Sequence, residues 1–182
     1  MHIRIVTERL TLEPLGPEYL DTVNRYALEP ENTKYMCHMP YSGPEETMAF
    51  LRNAEREWRK DRPDYYEFAV LYQGVHIGAV SVYPEQDIGE LGWIICRQYQ
   101  GNGFAAEAAS AMVRYFADHM GIPRFRAHCD TENKASVRIM EKLGMTRTGE
   151  WGGRRNRNAD RDSSEYQYDL VIEKAVRYGK LS

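Results

Sequence analysis

Residues 100–106 read Gln100-Gly101-Asn102-Gly103-Phe104-Ala105-Ala106, and their two flanks set the class of fold. Downstream, Ala105, Ala108, Ala109, Met112, Phe116 and Met120 recur at steps of three and four. That period predicts an amphipathic helix over 104–120, which Gly121 and Pro123 end. Upstream the period is two. Phe68, Val70 and Tyr72 alternate within 66–72, Gln73-Gly74 suits a hairpin turn into a strand over 77–83, and 88–96 completes a meander. The glycine-bearing turn therefore joins a strand to the most strongly patterned helix of the chain. The first amides of a helix have no internal partners and carry the positive end of its dipole, so such a turn suits a diphosphate. Gly101 and Gly103 permit positive φ and close backbone approach, while Ala105 and Ala106 keep the first turn free of bulk. The same letters also suit a plain tight connection. A dinucleotide fingerprint does not fit, because position 106 is not glycine and an antiparallel meander precedes the turn. No GK[ST] follows, so a Walker A loop is absent.

Working outward, 7–15 reads as a first strand with Leu10 and Leu12, and Pro17 opens a helical stretch with Leu20, Val23 and Tyr26. A second helix over 44–60 starts at Pro44, with Glu45 and Glu46 in its first turn and Phe50, Leu51, Ala54 and Trp58 as its apolar face. Beyond the central helix come a strand over 125–129, a helix over 133–143 stopped by Gly144, and strands near 146–151 and 165–172. The order β-α-α-β-β-β-α-β-α-β-β predicts an α/β (α+β) fold in a single domain over 1–182. The expected sheet is mixed, mostly antiparallel and twisted, with about seven strands and helices on both faces.

Composition narrows the classes. The chain has 182 residues, of which 42% are hydrophobic, enough to build one sizeable core. A net charge of −3 argues against nucleic acid as the main partner. Arg154, Arg155, Arg157 and Arg161 form a basic cluster, but Asp160, Asp162 and Glu165 interrupt it, so it reads as a solvated loop. Cys37, Cys96 and Cys129 show no paired spacing, so neither a metal site nor a disulfide framework is expected. The start Met1-His2-Ile3-Arg4 does not read as a signal peptide, and no apolar run approaches the ~20 residues of a membrane span. A soluble, cytoplasmic protein is the expectation.

Four stretches occur in a fixed order: Thr7-Glu8-Arg9-Leu10-Thr11-Leu12; Gly89-Glu90-Leu91-Gly92-Trp93-Ile94-Ile95; the turn at 100–105; and Asn133-Lys134-Ala135-Ser136-Val137-Arg138 through Glu141-Lys142-Leu143-Gly144-Met145. Together they resemble the GNAT N-acetyltransferases, in the branch similar to the RimJ/RimL enzymes that acetylate N-termini of ribosomal proteins. The similarity spans nearly the whole chain, and the element order fits that fold. The resemblance implies acetyl-CoA as cosubstrate and an acyltransferase activity. It implies that Gln100, Gly101, Asn102, Gly103, Phe104, Ala105 and Ala106 receive the pyrophosphate on backbone amides. Trp93, Ile94 and Ile95 match a strand that splays from its parallel neighbour and offers unpaired backbone groups to the pantetheine amides, much as a sheet edge accepts a strand. Asn133 and Ser136 match residues that contact the pantetheine arm near the thioester. Read without the resemblance, Asn133 is equally a helix cap and Ser136 a small polar residue beside Ile139, Met140 and Leu143.

Acetyl transfer to an amine needs a neutral amine, a polarised carbonyl and a stabilised thiolate. A peptide α-amine, with pKa ~7.7–8.0, asks less of a base than a lysine near ~10.4. Glu90, on the strand that runs into the turn, is the expected base, with Glu150 and Glu165 in reserve; the position before Gly149 at which some relatives carry a carboxylate is Thr148. Many family members place a tyrosine seven residues after the helix-start asparagine, where this chain has Met140. Ser136 is therefore the expected proton donor to the thiolate, with Tyr166 or water as substitutes. Cys96 and Cys129 have no histidine at a spacing that supports a covalent route, so direct transfer in a ternary complex is expected. Tyr35, His38, Tyr41, Trp151, Arg154 and Tyr166 are candidate acceptor-pocket residues. The expected partners are an amine-bearing substrate (a peptide N-terminus or a small molecule) and a second copy of the chain, without membrane or nucleic acid. A catalytically silent acetyl-CoA-binding module is the alternative.

Overall fold

The structure is a computed structural model that describes residues 3–172; Met1, His2 and 173–182 of the domain expected over 1–182 lie outside the described residues. Eight strands form one sheet in the order β1 (Ile5–Val6), β2 (Leu10–Pro14), β3 (Tyr66–Tyr72), β4 (Val75–Glu85), β5 (Ile88–Ile95), β6 (Arg124–Asp130), β8 (Ser163–Val171), β7 (Thr146–Arg154). Only β5 and β6 run parallel, joined through α4 (Phe104–Met120). The other helices are α1 (Leu20–Ala27), α2 (Pro30–Thr33), α3 (Pro44–Trp58) and α5 (Lys134–Lys142). This is the mixed, mostly antiparallel sheet with helices on both faces that the element order predicts.

Two details differ. The stretch read as one strand over 7–15 is β2 preceded by a turn and the short β1. Thr7 makes that turn: its Oγ1 accepts from Leu10 N at 2.8 Å and donates to Glu107 Oε1 of α4 at 2.5 Å, replacing ladder bonds with side-chain ones. The four-residue α2 is too short to show a helical period in the sequence.

Alternation along the strands sorts the interior into two cores. Phe68, Val70, Val80, Val82, Leu91 and Phe125 pack with Met112 and Phe116 of α4 and Met140 of α5. Ala69, Ala79, Ile94 and Cys96 pack with Val23 and Tyr26 of α1 and Leu51 of α3. Each large side chain so buried contributes roughly 1.5–3 kcal/mol. Several strand residues on the second face are small, and at Gly92 a Cβ would stand 2.5 Å from Ser81 Oγ and displace that hydroxyl. Large residues fill one face of the sheet, whereas Ala79, Ser81 and Gly92 leave a hollow in the other.

Candidate active site

β5 stays paired with β4 as far as Ile95, and β6 with β8 as far as Asp130. They pair with each other only at Ile88–Glu90 against Arg124–Arg126. From Leu91 and Ala127 onward the two strands diverge, and the facing backbone groups have no ladder partner. Buried strands ordinarily satisfy those groups, so the opening is suited to an extended, amide-bearing ligand.

The glycine-bearing turn lies past the end of β5, where the strands have parted. Gly103 is the N-cap of α4 at φ 80°, in the left-handed region, and no side chain caps the helix. The first helical hydrogen bond is Glu107 N to Gly103 O at 3.0 Å, which leaves the N–H groups of Phe104, Ala105 and Ala106 without helical partners. Gly101 has the same φ, and a Cβ there would meet nothing within 4 Å. The polar side chains of the turn brace it from within: Gln100 Nε2 donates to Ile95 O at 3.0 Å and Asn32 Oδ1 at 2.6 Å, and Asn102 Nδ2 donates to Tyr99 O at 3.1 Å. Phe104 turns its ring into the core, so its amide alone faces the turn. Arg9, not singled out as a site residue from the sequence, donates to Asn102 O at 3.1 Å and pairs with Glu107 at 2.7 Å. Its guanidinium lies 4.6 Å from the Phe104 ring centroid.

Trp93 and Ser136 meet across the opening, the indole Nε1 donating to Ser136 Oγ at 3.2 Å. This bond occupies an acceptor site of the hydroxyl and leaves its proton free for another partner. Asn133 does cap α5, its Oδ1 accepting from Ser136 N at 3.1 Å, and it also lines the adjoining cavity beside Ser136. Ile94 and Ile95 are buried, so only their backbone is available to a ligand. Met140 is fully buried in the core and supplies no proton donor.

A cavity of about 750 Å³ opens on the α1/α3 face, with Glu90 to Ile94 of β5 and His128 and Cys129 of β6 among its lining. Of the residues expected there, Tyr35, His38, Tyr41 and Arg154 line it. Trp151 and Tyr166 do not. Trp151 is half exposed on the edge strand β7, and Tyr166 packs with the other core, 4.7 Å under the Arg147 guanidinium. Strand alternation accounts for Tyr166: its neighbour Glu165 takes the cavity side, paired with Arg154. Glu90 lines the cavity with its Oε1 3.2 Å from His128 Nδ1, and His128 Nε2 lies 3.2 Å from Gln167 Oε1. The hydrogen bond to His128 holds the Glu90 carboxyl below its usual range, and the same bond pushes the imidazole up. His128 escaped the sequence reading, although Arg126, His128 and Asp130 form a period-two polar series on β6 that marks one face of that strand. The reserve base Glu150 is exposed, 3.9 Å from Arg147. Burial pushes the Cys129 thiol up to about 11, which makes it a poor nucleophile at neutral pH.

The basic loop is neutralised locally. Arg154 pairs with Glu165, Arg155 with Asp162 at 3.0 Å, and Arg157 with Glu46 at 2.6 Å. Among the described residues no helix is long and apolar enough to cross a membrane, and no three His, Cys, Asp or Glu side chains cluster as metal ligands.

The parallel pair that parts beside an uncapped helix start is the arrangement that the GNAT resemblance implies. Residues 9–146 match the family model described as an acetyltransferase (GNAT) domain. The chain belongs to the GNAT family of N-acetyltransferases. Among its relatives, the uncharacterized N-acetyltransferase YnaD of Bacillus subtilis is 28% identical over 149 residues, covering 81% of this chain and 85% of YnaD. Among solved structures, a GNAT-family acetyltransferase from Bacillus anthracis superposes with a TM-score of 0.80 at 25% identity, over 93% of this chain and 98% of that one. RimL, a ribosomal L7/L12 alpha-N-protein acetyltransferase solved with coenzyme A, shares the fold at a TM-score of 0.82 and 18% identity, over 93% and 98% of the two chains.

Proposed function

We propose that the protein moves an acetyl group from acetyl-CoA to a primary amine, a peptide N-terminus or a small molecule, by direct transfer within a ternary complex. One observation carries this reading: β5, whose edge parts from β6 after Glu90, lines the cavity with Leu91 to Ile94 and leads on to the uncapped start of α4. The amides of Gly101 to Ala106 would receive the diphosphate, where the helix dipole favours negative charge. The edge of Trp93–Ile95 would hold the pantetheine amides, with Asn133 and Ser136 on the opposite wall. This arrangement would put the thioester where β5 and β6 close up, at Leu91–Gly92, facing the cavity.

The roles of the chain's own groups follow from their protonation. A carboxylate held below its usual range is poorly matched to an ammonium near pKa ~8, whereas an imidazole raised above its ordinary ~6.5 is better matched. Glu90 therefore receives the amine proton on its cavity-facing carboxylate and passes it to His128 Nδ1 across their 3.2 Å contact, while Nε2–H of the imidazole stays on Gln167 Oε1. Acetyl-CoA supplies an activated acyl carbon and a thiolate leaving group. As the carbon–sulfur bond breaks, the Ser136 hydroxyl, held by Trp93, donates its proton to the sulfur and is reprotonated from water. The three unpaired cysteines suit a reducing, cytoplasmic setting.

The test is release of free thiol from acetyl-CoA across a panel of amines, including peptides with free and blocked N-termini. Thiol release that requires a free primary amine is expected. Coenzyme A binding with no release from any amine would identify a silent binding module instead.

A further inference from the structure

Glu67 of β3 is the charge in the cavity that the acetylation chemistry leaves unused. It is 8% exposed and lines the cavity, yet no hydrogen bond or ion pair reaches its carboxyl among the described residues. The other carboxylates of the cavity are answered: Glu90 faces His128, and Glu165 pairs with Arg154. Burial alone acts on Glu67 and pushes its carboxyl up to about 8; no cation among the described residues offsets it. A buried carboxyl without a partner costs stability, and this position is not forced by packing, since the neighbouring face residues Ala69 and Ala79 are small.

Its surroundings are those of a cation site. Tyr41, Tyr65 and Tyr83 line the same cavity, Tyr65 and Tyr83 stacked at 5.2 Å between centroids, and after burial the nearby Glu67 charge is the next influence on all three phenols. Tyrosine faces beside a carboxylate attract an ammonium by both charge and ring quadrupole. The register fixes the distance. Glu67 stands opposite Ser81 and Ser81 opposite Gly92, a single row across three strands on one face. Two strand spacings of ~4.8 Å put the Glu67 backbone roughly 10 Å from Gly92, where the thioester is placed above.

We propose that Glu67, with the rings of Tyr41, Tyr65 and Tyr83, holds a second cationic group of the acceptor, so the preferred substrate is an amine with another positive charge roughly 5–7 Å from the reacting nitrogen. This deepens the acetyltransferase reading and rests on it for the position of the reacting end. A monoamine leaves the Glu67 carboxyl unpaired, and sites built around a buried polar group discriminate strongly against ligands that cannot satisfy it. An arriving ammonium also draws the proton off Glu67, so binding at pH 7 releases a proton from the carboxyl.

The experiment compares kcat/KM for 1,4-diaminobutane and 1-aminobutane, with acetyl-CoA saturating, in the wild type and in Glu67→Gln. A charge-assisted hydrogen bond predicts a preference of about tenfold or more for the diamine in the wild type. In Glu67→Gln that ratio is expected to collapse toward one, chiefly through a higher KM for the diamine. Equal kcat/KM for the two amines in the wild type, or an undiminished preference in the variant, would overturn the proposal. Thiol release with either amine supports the acetyl transfer itself. Should neither release thiol, calorimetric titration of 1,4-diaminobutane into the coenzyme A complexes takes over as readout: binding lost in Glu67→Gln supports the cation site, and equal binding refutes it.

Discussion

The hydroxyl of Ser136 has one proton to give, and Trp93 occupies the acceptor side of its oxygen. Ser136→Ala should lower kcat about a hundredfold at saturating acetyl-CoA, the lower end of general-acid contributions; steady-state turnover checks this, and an unchanged kcat removes the residue from the chemistry. His128 makes a pH prediction. Its imidazole must be neutral to accept the amine proton, so kcat/KM should rise as pH climbs through its raised pKa. Glu90→Gln replaces the charged acceptor that raises it with a neutral amide, so the rising limb should move to lower pH while the plateau drops. An unmoved limb in the pH–rate profile would assign the proton to another group. These residues differed in how legible they were. Glu90, Asn133 and Ser136 stand in stretches that a family pattern marks. His128 and Glu67 stand in strands whose letters look like ordinary alternation; their meaning comes from which neighbours the sheet puts beside them. Trp151 and Tyr166 fail for the same reason in reverse, as aromatics near the site whose strand parity or edge position turns them away from the cavity.

The junction of β5 with α4 was readable because its signals are local: a change of period from two to three and four, and glycines at 101 and 103. Both glycines take φ near 80°, which a β-branched residue adopts only under strain of about 1–3 kcal/mol. Gly103→Val should weaken coenzyme A binding at least tenfold in calorimetric titration, through strain in the turn and a side chain laid over the amides. The divergence of β5 from β6 was not readable from the residues. Nothing within Leu91–Ile95 states that pairing stops after Glu90; that depends on where β6 runs, thirty-odd residues later in the chain, and entered only through resemblance. The turn at Thr7–Arg9 escaped likewise, because it is held by Glu107 of α4 across the fold.

Over the whole molecule the sheet separates a densely filled core from one hollowed for ligands, and the hollow carries an energetic cost. Glu67 titrates near 8 in the fold and near ~4.3 unfolded, so over that window the folded chain binds more protons and loses stability as pH rises. The loss is on the order of 5 kcal/mol above the folded value. Glu67→Gln should therefore melt roughly 10 °C higher than the wild type at pH 8 and converge with it below pH 4, as followed by thermal unfolding across pH. A variant less stable at pH 8 would mean that Glu67 has a partner the cavity supplies. The uncapped amides of α4, the parted strands and the cavity lined by β5 support the functional reading, and titration of coenzyme A into the purified protein tests it. Saturable one-to-one binding, weakened by salt as a diphosphate on backbone amides and a nearby arginine requires, is the predicted result. Absence of binding at any salt concentration would contradict it.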